Sequence, residues 1–163
     1  MAAPQRASEN KQESIAPAHF LIVEARFYDA VGVELLAGAQ AAFEQVGASC
    51  DVVTVPGALE IPVALAMALD AAAAQGKPYS GAVALGCILR GETYHFEIVA
   101  NESARALTEL AVARKLAFGN GVLTVDNEAQ AHARSGHNRD DKGGDAARAA
   151  IALHRLKQKL GAA

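Results

Sequence analysis

At 163 residues the chain is long enough for one domain that removes roughly 70% of its unfolded surface from water, so its core needs no disulfide or metal to hold it. Apolar residues make up 52% and charged residues 20%, with a mean hydropathy of +0.12, which excludes the disordered, collagenous and membrane classes. Fifteen basic against eighteen acidic side chains leave a net charge of −3, a balance that argues against a nucleic-acid partner.

The opening stretch, MAAPQRASENKQESIAPA, mixes Pro, Ser, Gln, Asn and charges without period. It has no apolar h-region, and nowhere does the chain reach the ~20 apolar residues of a membrane span. Residues 1–17 are therefore expected to be a flexible tail, followed by a single domain over 18–163 in a soluble, cytoplasmic protein.

From His19 the pattern changes. FLIVEA is a short continuous apolar run, the mark of a strand covered on both faces. Val31, Leu35, Leu36, Ala39, Phe43 and Val46 then recur at helical spacing, and Gly47 sits where a glycine ends a helix. CDVVTV precedes a Pro56-Gly57 turn and a helix over 59–75. GAVALGCILRG precedes a helix over about 94–115, and GVLTV one over 126–134. A last helix is expected over 145–160, after a polar connection, SGHNRDDKGG. Strands alternating with helices imply parallel strands joined by right-handed crossovers, an α/β three-layer sandwich with a central parallel sheet. The topology resembles the flavodoxin-like arrangement. Cys50 and Cys87 fall in strand runs with no metal-ligand spacing and are expected to be reduced core residues.

In such sheets ligands bind beyond the carboxyl ends of the strands. After the first strand comes Arg26-Phe27-Tyr28, after the second Pro56-Gly57-Ala58-Leu59-Glu60, after the third Arg90-Gly91-Glu92-Thr93-Tyr94-His95. These supply an aromatic face, a glycine turn and a titratable base. Gly91-Glu92-Thr93 would open a helix, where unpaired N–H groups and a hydroxyl form an anion cradle; the plain alternative is that Thr93 or Glu92 caps the helix. His95, in the first turn, suits proton transfer beside an anionic substrate. Phe27 could stack on a heterocycle, although an aromatic at a strand end is more often core. Arg134 and Lys142 flank the polar connection as possible phosphate ligands or as solvated charges.

VPGALEIP, LGCILRGETYHFE, NGVLT and the Arg134 to Lys142 segment, in that order, resemble the 6,7-dimethyl-8-ribityllumazine synthase family from about His19 to Leu160. The resemblance implies condensation of 5-amino-6-(D-ribitylamino)uracil with 3,4-dihydroxy-2-butanone 4-phosphate, releasing phosphate and water, in riboflavin biosynthesis and with no metal or organic cofactor. By motif, His95 corresponds to the proton-transfer residue and Phe27 to the residue stacked on the pyrimidine. Gly57, Ala58, Leu59 and Glu60 correspond to the ribityl-binding turn, and Leu89 to a strand-end contact of the pyrimidine edge. Gly91, Glu92 and Thr93 correspond to the phosphate loop. The resemblance further implies a homo-oligomer with sites between subunits, in which the neighbour supplies Asn120, Arg134 and Lys142. Asn120 stands where many members carry phenylalanine. Asp140 and Asp141 replace a glycine-rich stretch of the shell-forming members, which favours a pentamer or a pair of pentamers.

Two rival functions are weaker. A paralogue that holds a flavin or lumazine without turning it over would be expected to lose the base or the phosphate arginine, yet His95, Thr93 and Arg134 are all present. A flavodoxin-like electron carrier needs a Ser/Thr-rich phosphate loop after the first strand, where this chain has EARFYDAVG.

Overall fold

The computed structural model describes residues 13–136 and 138–162. In chain order the elements are β1 (His19–Ala25), α1 (Asp29–Glu44), β2 (Ser49–Val55), a 3-10 turn (Ala58–Glu60), α2 (Ile61–Ala74), β3 (Gly81–Leu89), α3 (His95–Arg114), β4 (Phe118–Val125), α4 (Glu128–Ser135) and α5 (Lys142–Leu160). All pairings are parallel, and the strand order is β2-β1-β3-β4. The flavodoxin-like α/β sandwich expected from the alternation is thus the fold observed.

Side chains of period two sort each strand into two cores. Phe20 and Ile22 of β1, Val83, Leu85 and Cys87 of β3, and Leu123 and Val125 of β4 face α1, α4 and α5. Leu21 and Val23 of β1 and Ala82, Ala84 and Ile88 of β3 face α2 and α3. Phe20 stacks on Phe43 of α1 with ring centroids 4.5 Å apart. Because the chain runs from β1 to one side and from β2 and β3 back to the other, the helices fall on opposite faces. A crevice opens between the carboxyl ends of β1 and β3, the point where the direction of winding reverses.

Several expectations need correction. β2 is an edge strand, not one covered on both faces: only Val55 is fully buried, and Cys50 is partly exposed rather than core. Both cysteines are unpaired. The last helix starts at Lys142, three residues before Asp145, because the two glycines at the end of the polar connection are buried within it. A Cβ on Gly143 would stand 2.0 Å from the carbonyl oxygen of Leu35, and one on Gly119 would overlap the carbonyl of Ala146. Glycine here lets α5 touch α1 and β4 backbone to backbone. Asp141 caps α5, its carboxylate accepting from the N–H of Gly144 at 3.2 Å and from Arg148 at 3.0 Å.

β4 begins at Phe118, three residues before the run GVLTV. Of the segment expected to be a tail, residues 1–12 lie outside the described residues. Packing begins at Ile15, which is buried and whose N–H donates to the Val46 carbonyl at 2.9 Å. Gly47 ends the first helical segment at φ +72°, a conformation that favours glycine. Among the described residues no helix is long and apolar enough to cross a membrane.

Candidate active site

Each strand-end segment reaches the crevice for a local reason. After β1, Arg26 turns back onto the strand: its Nε donates to Glu24 at 2.8 Å and its Nη1 to Asp29 at 2.9 Å. Glu24 is only 3% exposed, and Thr54 Oγ1 also donates to it, at 2.9 Å, so its buried charge is paired and hydrogen-bonded. These bonds raise the Arg26 pKa further, with that to Glu24 foremost. Gly32 leaves room for the Arg26 stem, since a Cβ there would lie 2.7 Å from Cδ. This network ends β1 firmly and leaves the next residue, Phe27, projecting from the sheet.

Phe27 is 71% exposed, edge-on to Tyr28 at 5.1 Å, and so is not a core aromatic. After β2, Pro56-Gly57 leads into the 3-10 turn that replaces the first turn of the expected helix. The Glu60 carboxylate folds back over Gly57, where a Cβ would stand 2.9 Å from its Oε2. After β3, residues 92–94 form a bend and turn, and α3 begins at His95 rather than at Gly91. Tyr94 holds the cap position without a side-chain bond, so neither Thr93 nor Glu92 serves as the cap.

These segments enclose one cavity of about 450 Å³, lined by Phe27, the turn Pro56 to Glu60, Leu89, Gly91, Thr93 and His95. Of the residues singled out in the sequence, Phe27, Gly57, Ala58, Leu59, Glu60, Leu89, Gly91, Thr93 and His95 therefore meet in one place. Glu92 does not line it. Tyr28, Cys87, Ile88, Phe96 and Val99 also line it and were not marked as site residues; their signal was only adjacency to marked positions. Burial pushes the Cys87 thiol up to about 11, so near neutral pH it stays protonated and is no thiolate nucleophile.

Gly91 is open on all sides: a Cβ would meet nothing within 4 Å, and its φ is not left-handed. Neither packing nor backbone conformation demands glycine there. With no side chain of its own, Gly91 lines the cavity by its backbone, together with Thr93 and His95.

Asn120, Arg134 and Lys142 lie outside the cavity of their own chain. Asn120 is exposed on the edge strand β4, where its Oδ1 accepts from the Val122 N–H at 2.9 Å. Arg134, in the last turn of α4, donates to the Gln130 carbonyl at 2.9 Å. Lys142 opens α5 between Asp145 at 3.3 Å and Asp140 at 3.4 Å. Burial works against its charge, but the two carboxylates outweigh it and hold its pKa above the ordinary lysine value. Among the described residues no group of three or more His, Cys, Asp or Glu side chains is placed to hold a metal ion.

Comparison with known proteins matches residues 17–158 to the family described as 6,7-dimethyl-8-ribityllumazine synthase. A relative of that description from Methylocella silvestris is 62% identical over 162 residues, covering 99% of both chains. One from Beijerinckia indica is 59% identical over 164 aligned residues, covering 99% of this chain and 89% of its own. The 6,7-dimethyl-8-ribityllumazine synthase 1 of Rhizobium meliloti is 62% identical over 148 residues, covering 91% of this chain and 97% of its own. The chain with the strand-end cavity belongs to the 6,7-dimethyl-8-ribityllumazine synthase family.

Proposed function

We propose that the cavity at the carboxyl edge of the sheet is where this chain carries out its family's reaction. That reaction joins 5-amino-6-(D-ribitylamino)uracil to 3,4-dihydroxy-2-butanone 4-phosphate and releases phosphate and water. The observation that carries the assignment is the convergence of Phe27, the Gly57 to Glu60 turn, Gly91, Thr93 and His95 on a single cavity. The pyrimidine stacks on Phe27, its ribityl chain runs along the turn, and the phosphate sits on the bare backbone at Gly91 with Thr93. The pyrimidine amine attacks the ketone carbon. His95 takes and returns the protons of imine formation and phosphate loss. After the water of imine formation and the phosphate have left, the ribitylamino nitrogen closes the ring on the remaining carbonyl carbon and a second water leaves. That step needs orientation more than a strong nucleophile, in keeping with the protonated Cys87.

Arg134, Lys142 and Asn120 complete the site of a neighbouring copy, with Arg134 on the phosphate. Support for assembly comes from α2, which is apolar nearly all round yet buries only Ile61 and Leu65 within its own chain. A pentamer or a pair of pentamers, working in the cytoplasm on these two small substrates, is the assembly this reading favours.

The test is the fluorescence of the lumazine formed from the two substrates. His95→Ala lowers kcat by roughly 10²- to 10⁴-fold with fold and pyrimidine affinity retained. Co-expressing His95→Ala with Arg134→Ala chains restores part of the activity, because some sites then draw an intact residue from each chain. Full activity in His95→Ala removes the imidazole from the reaction, and mixed oligomers as inactive as their parents place both residues in one subunit's site.

A further inference from the structure

Residues 90–95, which carry His95 into the cavity, are exposed throughout, so no core packing fixes them. Tyr94 provides no side-chain cap, and a Cβ added at Gly91 would meet nothing within 4 Å, so the loop is loosely surrounded there. The backbone here is tied by the N–H groups of Glu97 and Ile98 to the Tyr94 carbonyl, at 3.1 and 3.3 Å. The turn that carries His95 is held instead through the residues that follow it, Phe96 and Val99, which pack against the core beneath α2 and α3.

One side chain spans the segment. The N–H of Arg90 donates to the Val125 carbonyl at 2.9 Å, which fastens the end of β3 to that of β4. Its guanidinium then reaches two ways: Nε donates to Asp126 at 2.8 Å and Nη1 to Glu97 at 2.6 Å. The planar group lies 4.3 Å from the centroid of the Phe96 ring. Phe96 and Glu97 are the two residues directly after His95, and both are partly buried. Phe96 lines the cavity, whereas Arg90 does not. A single rigid fork thus ties the first turn of α3 to the sheet, using a bond, a second bond and a stacked face that lysine cannot supply together.

We infer that Arg90 is a positioning residue of the reaction, acting through Phe96 and Glu97 to hold the His95 imidazole at the reacting atoms. The inference rests on the assignment of His95 as the proton-transfer residue. The bond to Arg90 holds the Glu97 carboxyl below its ordinary value, and those to Asp126 and Glu97 hold the guanidinium above its own, so the Arg90–Glu97 pair stays charged across the neutral range. The clamp is therefore permanent rather than pH-gated. Its work is geometric, and a displacement of about 1 Å at a reacting group costs on the order of a hundredfold in rate.

The experiment compares full-length, assembled variants by lumazine fluorescence and by amide hydrogen exchange. Arg90→Ala is expected to lower kcat by about a hundredfold and Arg90→Lys by about tenfold, with KM for the pyrimidine unchanged. Exchange speeds up at residues 95–98 in Arg90→Ala, while β3 stays protected and the thermal midpoint moves little. Because the residue works through the imidazole, Arg90→Ala adds less than about twofold to the defect of His95→Ala. Multiplying defects in that double variant, a raised KM for the butanone phosphate with kcat intact, or unaltered exchange at 95–98 would each overturn the inference. If His95→Ala itself runs at full rate, the assignment of the base fails first and the positioning role goes with it. If His95→Ala is slow and Arg90→Ala is not, only the role of Arg90 falls.

Discussion

The two faces of the sheet are built from similar material and finished differently. On one, α5 lies so close to α1 that Gly143 meets the Leu35 backbone, and Ala146, Ala147, Ala150 and Ile151 are buried along its inner side. On the other, the still more alanine-rich α2 leaves Met67 67% and Val63 58% exposed, and α3 buries only Ser103 and Leu107 of its twenty residues. Apolar composition therefore does not say where burial happens. The first face is closed by glycines that let backbones touch, whereas the second stays open in the single chain.

That contrast can be broken at its strongest point. Gly143→Val would force a branched side chain into the Leu35 carbonyl, at a cost on the order of 3 kcal/mol or more and a fall of roughly 6–12 °C in the thermal midpoint. A variant that melts with the wild type would show that α1 and α5 can separate freely, and the closed face would lose its distinction. On the open face, Val63→Glu with Met67→Glu should leave the far-UV spectrum of the chain intact while sedimentation drops to a single-chain species. Stability then falls only by the linkage lost with assembly, about 2–3 kcal/mol at protomer concentrations a hundredfold above Kd. Unchanged sedimentation would mean that this face simply tolerates water.

The smallest expected effect sharpens the closed face. His154 of α5 packs edge-on against Phe20 at 5.7 Å, and burial holds its pKa below the ordinary imidazole value, aided by Lys157 and Arg155 and opposed by the Ser80 backbone. The folded chain favours neutral imidazole, so the unfolded chain takes up the proton first. This contribution is whole above pH ~6.5 and declines as the pH falls from there toward the lower folded value. Denaturation midpoints measured between pH 7.5 and 5 should accordingly fall less steeply in His154→Asn, and parallel slopes would dismiss the titration.

How much of this was legible beforehand depends on what each residue reports. β1 and β3 announced themselves because strands covered on both faces read as unbroken apolar runs. CDVVTV reads the same way, yet β2 lies at an edge, and an edge strand carries no mark of what lies beside it. Gly143 and Gly144 read as the end of a polar connection because propensity disfavours glycine in helices, whereas in three dimensions closeness to α1 outweighs that cost of about 1 kcal/mol per residue. The cavity was visible as three polar strand ends. Arg90 was not, since its partners Glu97 and Asp126 lie 7 and 36 residues away and only the fold brings them to one guanidinium.

The pairing of the last helix with the first has a consequence for how the chain leaves the ribosome. β1 sits in the middle of the sheet and needs β3, made some sixty residues later, before both its edges are covered. The inner side of α1 waits longer still, until Lys142–Leu160 has been synthesised. A chain without α5 would leave Leu35, Ala39 and the β3 and β4 side chains beneath it uncovered, an apolar trough of the kind that makes incomplete domains prone to aggregate. The last helix made is thus the one that covers the first helix's inner side.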